Sequence, residues 1–159
     1  MSYKLRDFLP LIVIFTLILA FTCVHQMYVG FTWMGAMRDF MGSFFLVFGT
    51  FKLLNLSGFA KAYQIYDLVA QRSVVYAYAY PFLEIGLGIA YFTRFMPKIT
   101  NVFTLVLMSV SALGVFNELR KGKQIVCACL GVVFKIPMTY VTLMEDVLMA
   151  GMALVMLLD

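Results

Sequence analysis

Charge is scarce in this chain. Only 13% of its residues are Asp, Glu, Lys or Arg, against roughly 25% in an ordinary soluble domain. Cysteine is scarce as well, at three residues. Cys23 lies within an apolar run, and only Cys127 and Cys129 are close in sequence, so no disulfide framework is expected. Ser/Pro-rich linkers, low-complexity tracts and a convincing internal repeat are all missing, which points to one integral domain. The formal net charge of +4 is small for so apolar a chain, and no nucleic-acid partner is expected.

What remains is hydrophobic: 64% of the sequence, gathered into long runs. Such runs read as membrane spans. They fall at roughly Leu9 to Tyr28, Phe40 to Leu56, Tyr76 to Phe95, Ile99 to Leu119 and Met138 to Leu158. The first has Lys4 and Arg6 ahead of it, as a signal peptide would. Its apolar core is long for that role and no A-x-A-like cleavage site follows, so it reads as a retained helix. The stretch "SGFAKAYQIYDLVAQRS" is amphipathic. It is expected to continue the second helix and then lie along the interface, its tyrosines at headgroup depth.

Five spans place the N-terminus, the second loop and the fourth loop on one face of the membrane, here face A. The first loop, the third loop and the C-terminus lie on the opposite face B. Of the 12 Lys and Arg residues, all but Arg38, Arg94 and Lys98 fall on face A. Basic residues accumulate on the cytoplasmic side, so face A is expected to be cytoplasmic. The same alternation gathers Lys52, Tyr80, Glu84, Glu118, Glu145 and Asp146 toward face A, with Cys127 and Cys129 in the fourth loop. Cys23 and His25 sit at the other end of the first span, about 30 Å away. At that distance no disulfide to the pair is expected, because bridged Cα atoms lie within about 7 Å.

The stretch "KGKQIVCACLG" sets two thiols one residue apart behind a basic cluster. Lys121, Lys123 and Lys135 favour the reactive thiolate. A disulfide across one intervening residue closes a strained, easily reduced ring, which suits exchange with a partner thiol. Reduced, the same pair offers two soft sulfur ligands for Cu(I) or another soft metal, although two sulfurs do not complete a tetrahedral zinc site. Both cysteines could equally be inert. Gly131 permits a tight turn after them, and Pro137 marks the restart toward the last helix. Glu84, after "YAYAYPFL", is costly within a span unless paired, protonated or functional, and Lys52 in "FGTFKLL" lies at matching depth. That pair either fixes the packing of two spans or moves protons beside the cysteine loop. Pro81 is expected near the start of its helix. Thr142 and Glu145 have capping-box spacing, but a helix start near Thr139 better fills the span and turns Glu145 and Asp146 toward the bundle or interface. Asp146 is an alternative mate for Lys135. Glu145, Met149, Met152 and Met156 share one helix face. A thioether row could pass Cu(I) along, yet such stripes are more often packing. His25, with Cys23 and Met27, raises the same alternatives.

The succession "FMGSFFLVFGTFKLLNLSGFAKAYQIYD", "YPFLEIGLG" and "CACLG" before a last helix resembles the MauE branch of the DoxX-like membrane proteins, over roughly residues 38 to 158. The resemblance implies an all-α, multi-pass helix bundle: a four-helix core at 38–159, preceded by an extra transmembrane helix and loop at 1–37. The family's C-x-C-x-G loop corresponds to Cys127, Cys129 and Gly131. Its intramembrane lysine and the glutamate after its proline correspond to Lys52 and Glu84. It further implies a bacterial inner-membrane protein tied to redox chemistry, such as disulfide formation during maturation of methylamine dehydrogenase. A thioredoxin-like or disulfide-containing protein would then be the partner, besides the lipid bilayer. The alternatives are a copper or mercury handling protein and a non-catalytic scaffold subunit; no cofactor is firmly implied. The charge pattern predicts that a membrane-impermeant thiol reagent labels Cys127 and Cys129 from the cytoplasmic side, in inverted vesicles but not in intact cells. Labelling of intact cells would reverse the orientation.

Overall fold

A computed structural model describes residues 9–122 and 140–159, with side chains from 142 onward in the second stretch. The described chain is helical throughout: α1 Leu9–Val29, α2 Trp33–Leu54, α3 Leu56–Tyr63, α4 Val74–Thr93, α5 Pro97–Arg120 and α6 Tyr140–Leu158. This is the expected all-α, multi-pass bundle. By length and composition α1, α4 and α5 can each cross a membrane, and α2 with α3 forms a further span broken by a bend of 105°. The 19-residue α6 stands where the last span was expected. Cys127, Cys129, Lys123, Lys135, Gly131, Pro137, Lys4 and Arg6 lie outside the described residues.

Local chemistry sets most helix ends. Thr32 adopts extended backbone and its hydroxyl accepts from the Gly35 N–H at 3.0 Å, so α2 starts well before Phe40. Position 38 is therefore inside a helix. Asn55 ends α2 and also caps α3, its Oδ1 accepting from Gly58 N–H at 3.0 Å. One residue thus serves two helix ends and leaves room for the sharp bend. Ser73 caps α4, which starts at Val74, two residues earlier than Tyr76. Pro81 consequently falls inside α4 rather than in its first turn. Pro97 opens α5, where a missing N–H costs nothing. Thr142 lies within α6, so Glu145 is not the partner of a capping threonine and faces inward.

The helices alternate in direction, and side-chain contacts fix this. Phe15 of α1 meets Phe44 and Phe48 of α2, and Leu46 of α2 lies against Gly88 of α4. Tyr91 of α4 meets Asn101 of α5, and Ser111 of α5 meets Asp146 of α6. The core between them is aromatic, with Phe44 and Phe48 stacked at 4.3 Å and Phe45 stacked on Tyr91 at 6.1 Å. Large apolar side chains such as Leu17, Val75, Val106 and Leu158 remain exposed on the perimeter. A bundle that turns apolar residues outward suits lipid, where the surrounding tails are as apolar as leucine. Helix α1 buries only Leu11, Ile18, Thr22 and Gln26, a single stripe against α2.

The segment after α3 departs from the expectation drawn from its sequence. Tyr63 and Tyr66 do not point to an interface: both are buried against the bundle. The 105° bend turns α3 across the end of the helices, so its aromatic face covers the core. Close approach at Gly114 allows this. A Cβ there would stand 2.6 Å from the Tyr66 carbonyl oxygen and 3.1 Å from the Asp67 Cα, both backbone atoms. Gly114→Ala is expected to lower stability by about 1–3 kcal/mol, the usual range for overpacking. Gly86→Ala, where a Cβ meets nothing within 4 Å, is expected to be neutral or stabilising by up to about 1 kcal/mol from helix propensity. Thermal unfolding in detergent separates the two, and equal midpoints would contradict the close approach.

Candidate functional site

The bend after Leu54 encloses a polar space at the face A end of the bundle. Lys52 occupies the last turn of α2 and would ordinarily extend toward water. Here α3 crosses above it, and the residue is only 6% exposed. Its Nζ lies 2.5 Å from Glu84 Oε1 of α4. The ammonium also sits over two rings, 5.0 Å from the centroid of Tyr80 and 5.5 Å from that of Phe59. Ion pair and cation–π contacts together replace the water that a buried ammonium loses.

Two further carboxylates reach this place from α6. Glu145 is buried, and Asp146 Oδ2 accepts from Ser111 Oγ of α5 at 2.8 Å. With Lys52 and Glu84 they line a cavity of about 20 Å³, walled by Phe59, Tyr63, Tyr66 and Tyr80. That volume admits about one water molecule. Glu84 Oε2 and Glu145 Oε1 are buried and accept no hydrogen bond from the described residues. The tyrosine wall is itself braced. Tyr63 packs on Tyr80 at 4.5 Å and donates to Asp67 Oδ2 at 2.9 Å. Asp67 Oδ1 accepts from the Val69 and Ala70 N–H groups, which fixes the turn after α3.

The structure therefore brings Lys52, Glu84, Glu145 and Asp146 together, with Tyr80 beside them. Glu118 of α5 lies apart from the cavity, where its Oε1 pairs with Lys121 Nζ at 2.5 Å. The described chain enters residues 123–139 at Gly122, just after α5, and returns at Tyr140, less than two turns before Glu145. The stretch carrying Cys127 and Cys129 thus leaves and rejoins the bundle at the cavity end. Ser111, Tyr63 and Asp67 were not anticipated as members of this site.

At the face B end, His25 and Cys23 take no common ligand. His25 Nδ1 lies 2.7 Å from Asp39 Oδ2, Cys23 is exposed, and Met27 is 84% exposed. Gln26 Nε2 donates to the same Asp39 oxygen at 2.5 Å, and Arg38 Nε approaches Asp39 Oδ1 at 3.8 Å. A second network joins α4, α5 and α6. Tyr91 Oη donates to Asn101 Oδ1 at 2.9 Å and accepts from Thr104 Oγ1 at 3.0 Å, while Asn101 Nδ2 donates to the Met156 carbonyl at 3.4 Å. Met149 is fully buried, and Met152 and Met156 pack against the core, so the methionine row is packing. Among the described residues no group of three or more His, Cys, Asp or Glu is placed to hold a metal ion.

The family model described as "Methylamine utilisation protein MauE" matches residues 31–159. The match takes in α2 to α6 and the whole cavity, and leaves α1 outside it. No curated protein and no solved structure matches the chain.

Removing one partner of the buried pair isolates a charge. Lys52→Met is expected to destabilise the protein by about 3–5 kcal/mol, and Lys52→Met with Glu84→Gln to recover much of that loss. Chemical denaturation of the single and double variants measures the coupling, and strictly additive losses would deny it.

Proposed function

The chain belongs to the MauE family of methylamine-utilisation membrane proteins, and from that membership together with the buried cavity we propose that it is a membrane thiol-exchange protein. Cys127 and Cys129 form the exchanging pair, and Lys52 and Glu84 support it from within the bundle. The observation that carries this reading is positional. Lys52 with Glu84, Glu145 and Asp146 lines one cavity, at the bundle end where the described chain stops at Gly122 and resumes at Tyr140, on either side of the residues bearing both cysteines.

The reaction is a thiol–disulfide exchange. The Cys127 thiolate attacks one sulfur of a partner disulfide and forms a mixed disulfide, and the partner's other sulfur leaves as a thiolate. Cys129 then attacks Cys127, which releases the partner as a dithiol and leaves the Cys127–Cys129 disulfide. Two electrons have passed from this chain to its partner. The reverse sequence oxidises a partner dithiol and returns the pair to the reduced state. Each attack needs a thiol deprotonated and a leaving thiolate protonated, so a nearby group that takes and returns protons assists both directions. Glu84, held by Lys52, is the group we assign to that role.

A thioredoxin-like or disulfide-containing protein is the partner this chemistry requires, and a bacterial inner membrane with the cysteine segment on the cytoplasmic side is the setting we infer. The soft-metal reading rests on the same two sulfurs, and Met149, Met152 and Met156 of the α6 row pack against the core.

Cys129→Ser is expected to trap a partner on Cys127 as a mixed disulfide, seen as a heavier species on non-reducing gels that thiol reagents collapse. Recovery of no such species from either single serine variant would count against exchange. One bound soft metal ion per chain, lost in the double serine variant, would replace it with the metal reading.

A further inference from the structure

One ammonium lines the cavity together with three carboxyl groups: Lys52 with Glu84, Glu145 and Asp146. Two of the three have a direct partner. Glu84 Oε1 takes Lys52 Nζ at 2.5 Å, and Asp146 Oδ2 accepts from Ser111 Oγ at 2.8 Å. Glu145 is 7% exposed, and its Oε1 accepts from no donor among the described residues. The charged groups that act on it are Asp146, its neighbour in sequence, and Lys52. Lys52 is committed to Glu84, and Asp146 brings charge of the same sign. The other titratable groups around the cavity, Tyr63, Tyr66 and Tyr80, bring no positive charge. The space of about 20 Å³ holds about one water. An ionised Glu145 would therefore be a buried anion with little solvation and no cation of its own. Such a group persists as the neutral acid.

We propose that Glu145 is a proton-binding site: it holds its carboxyl as the neutral acid while Glu84 holds Lys52, and giving up that proton sets α6 in competition with α4 for the one ammonium. The proton passes from Glu145 to solvent, the carboxylate stays on α6, and no other covalent bond changes. The new anion attracts Lys52, and the Lys52–Glu84 contact loosens. The contact that joins α2 to α4 thereby answers to a titration on a third helix. The arrangement also accounts for the unpaired oxygen, because a neutral carboxyl bears one at far lower cost than a carboxylate does. None of this depends on the thiol reaction.

The full chain is titrated in phosphatidylcholine vesicles and followed by infrared difference spectroscopy. At neutral pH a protonated-carboxyl stretch is expected that moves down in heavy water, is missing from Glu145→Gln and fades as the pH rises. As it fades, the carboxylate band assigned with Glu84→Gln is expected to shift, and in Glu145→Gln to stay in place. Finding no protonated carboxyl at neutral pH would overturn the proposal, and is the result expected if a lysine of residues 123–139 neutralised Glu145. A band that survives in Glu145→Gln would put the proton on another group and overturn it too. Bands moved by exchanging sodium for choline would replace the proton with a metal cation. Thermal unfolding in detergent gives a second reading. A free glutamate ionises at about pH 4.3, so one held neutral in the fold costs stability progressively as the pH rises above that value. Glu145→Gln is therefore expected to match wild type in acid and to melt above it at neutral pH. A variant that melts below wild type at neutral pH would show that the charge is needed, and would refute the neutral acid.

Discussion

A lysine and a glutamate have to meet inside this bundle, and much of the architecture follows from that need. Neither Lys52 nor Glu84 can remain ionised alone at this depth, because lipid and a dry core offer no solvation. Their 2.5 Å contact fixes α2 against α4 along the chain axis. It also demands cover. The span containing Lys52 breaks at Asn55, and α3 swings through 105° to lay Phe59 over the ammonium. Gly49 lets α2 approach α4 beside the pair: a Cβ there would come 2.8 Å from Ile85 Cγ1 and 3.2 Å from the Pro81 carbonyl oxygen. Close backbones, a bent span and an aromatic lid are one solution to one electrostatic problem.

Polarity is therefore distributed by depth. The middle of the bundle is a stack of phenylalanines, and each end carries a buried hydrogen-bonded network. At face B those networks are satisfied: Asp39 by His25 and Gln26, and Tyr91 by Asn101 and Thr104. Around the face A cavity, Glu84 Oε2 and Glu145 Oε1 have no hydrogen-bond donor among the described residues. Satisfied networks brace, whereas an incomplete one in a walled space leaves room for a further component.

Much of this was legible in the sequence. Alternation of spans was enough to place Lys52, Glu84 and Glu145 at one end, because each apolar run must cross and return. The pairing of Lys52 with Glu84 followed from matching depth. The inward turn of Tyr63, Tyr66 and Asp67 was not legible. An amphipathic segment shows which residues share a face, not whether that face meets lipid headgroups or a neighbouring helix. The decisive feature was an absence of bulk at Gly114, far away in sequence. Ser111 was missed for a similar reason, since a serine in an apolar helix carries no mark of its acceptor. The start of α2 was placed late because Arg38 and Asp39 interrupt the apolar run, although Thr32 supplies a proper cap. Cys127 and Cys129, the strongest chemical signal in the sequence, lie outside the described residues.

Asp39 draws a boundary of a different kind. The family match begins at residue 31, after α1 has ended. Yet this aspartate, 2% exposed near the start of α2, takes both of its close hydrogen bonds from α1, through His25 and Gln26. Severed at the match boundary, the remainder would leave Asp39 only the more distant Arg38 guanidinium, at 3.8 Å. The unit of kinship and the unit of folding thus differ by one helix. The α1 segment is less an appendage than a pair of hydrogen-bond partners that the chain itself supplies.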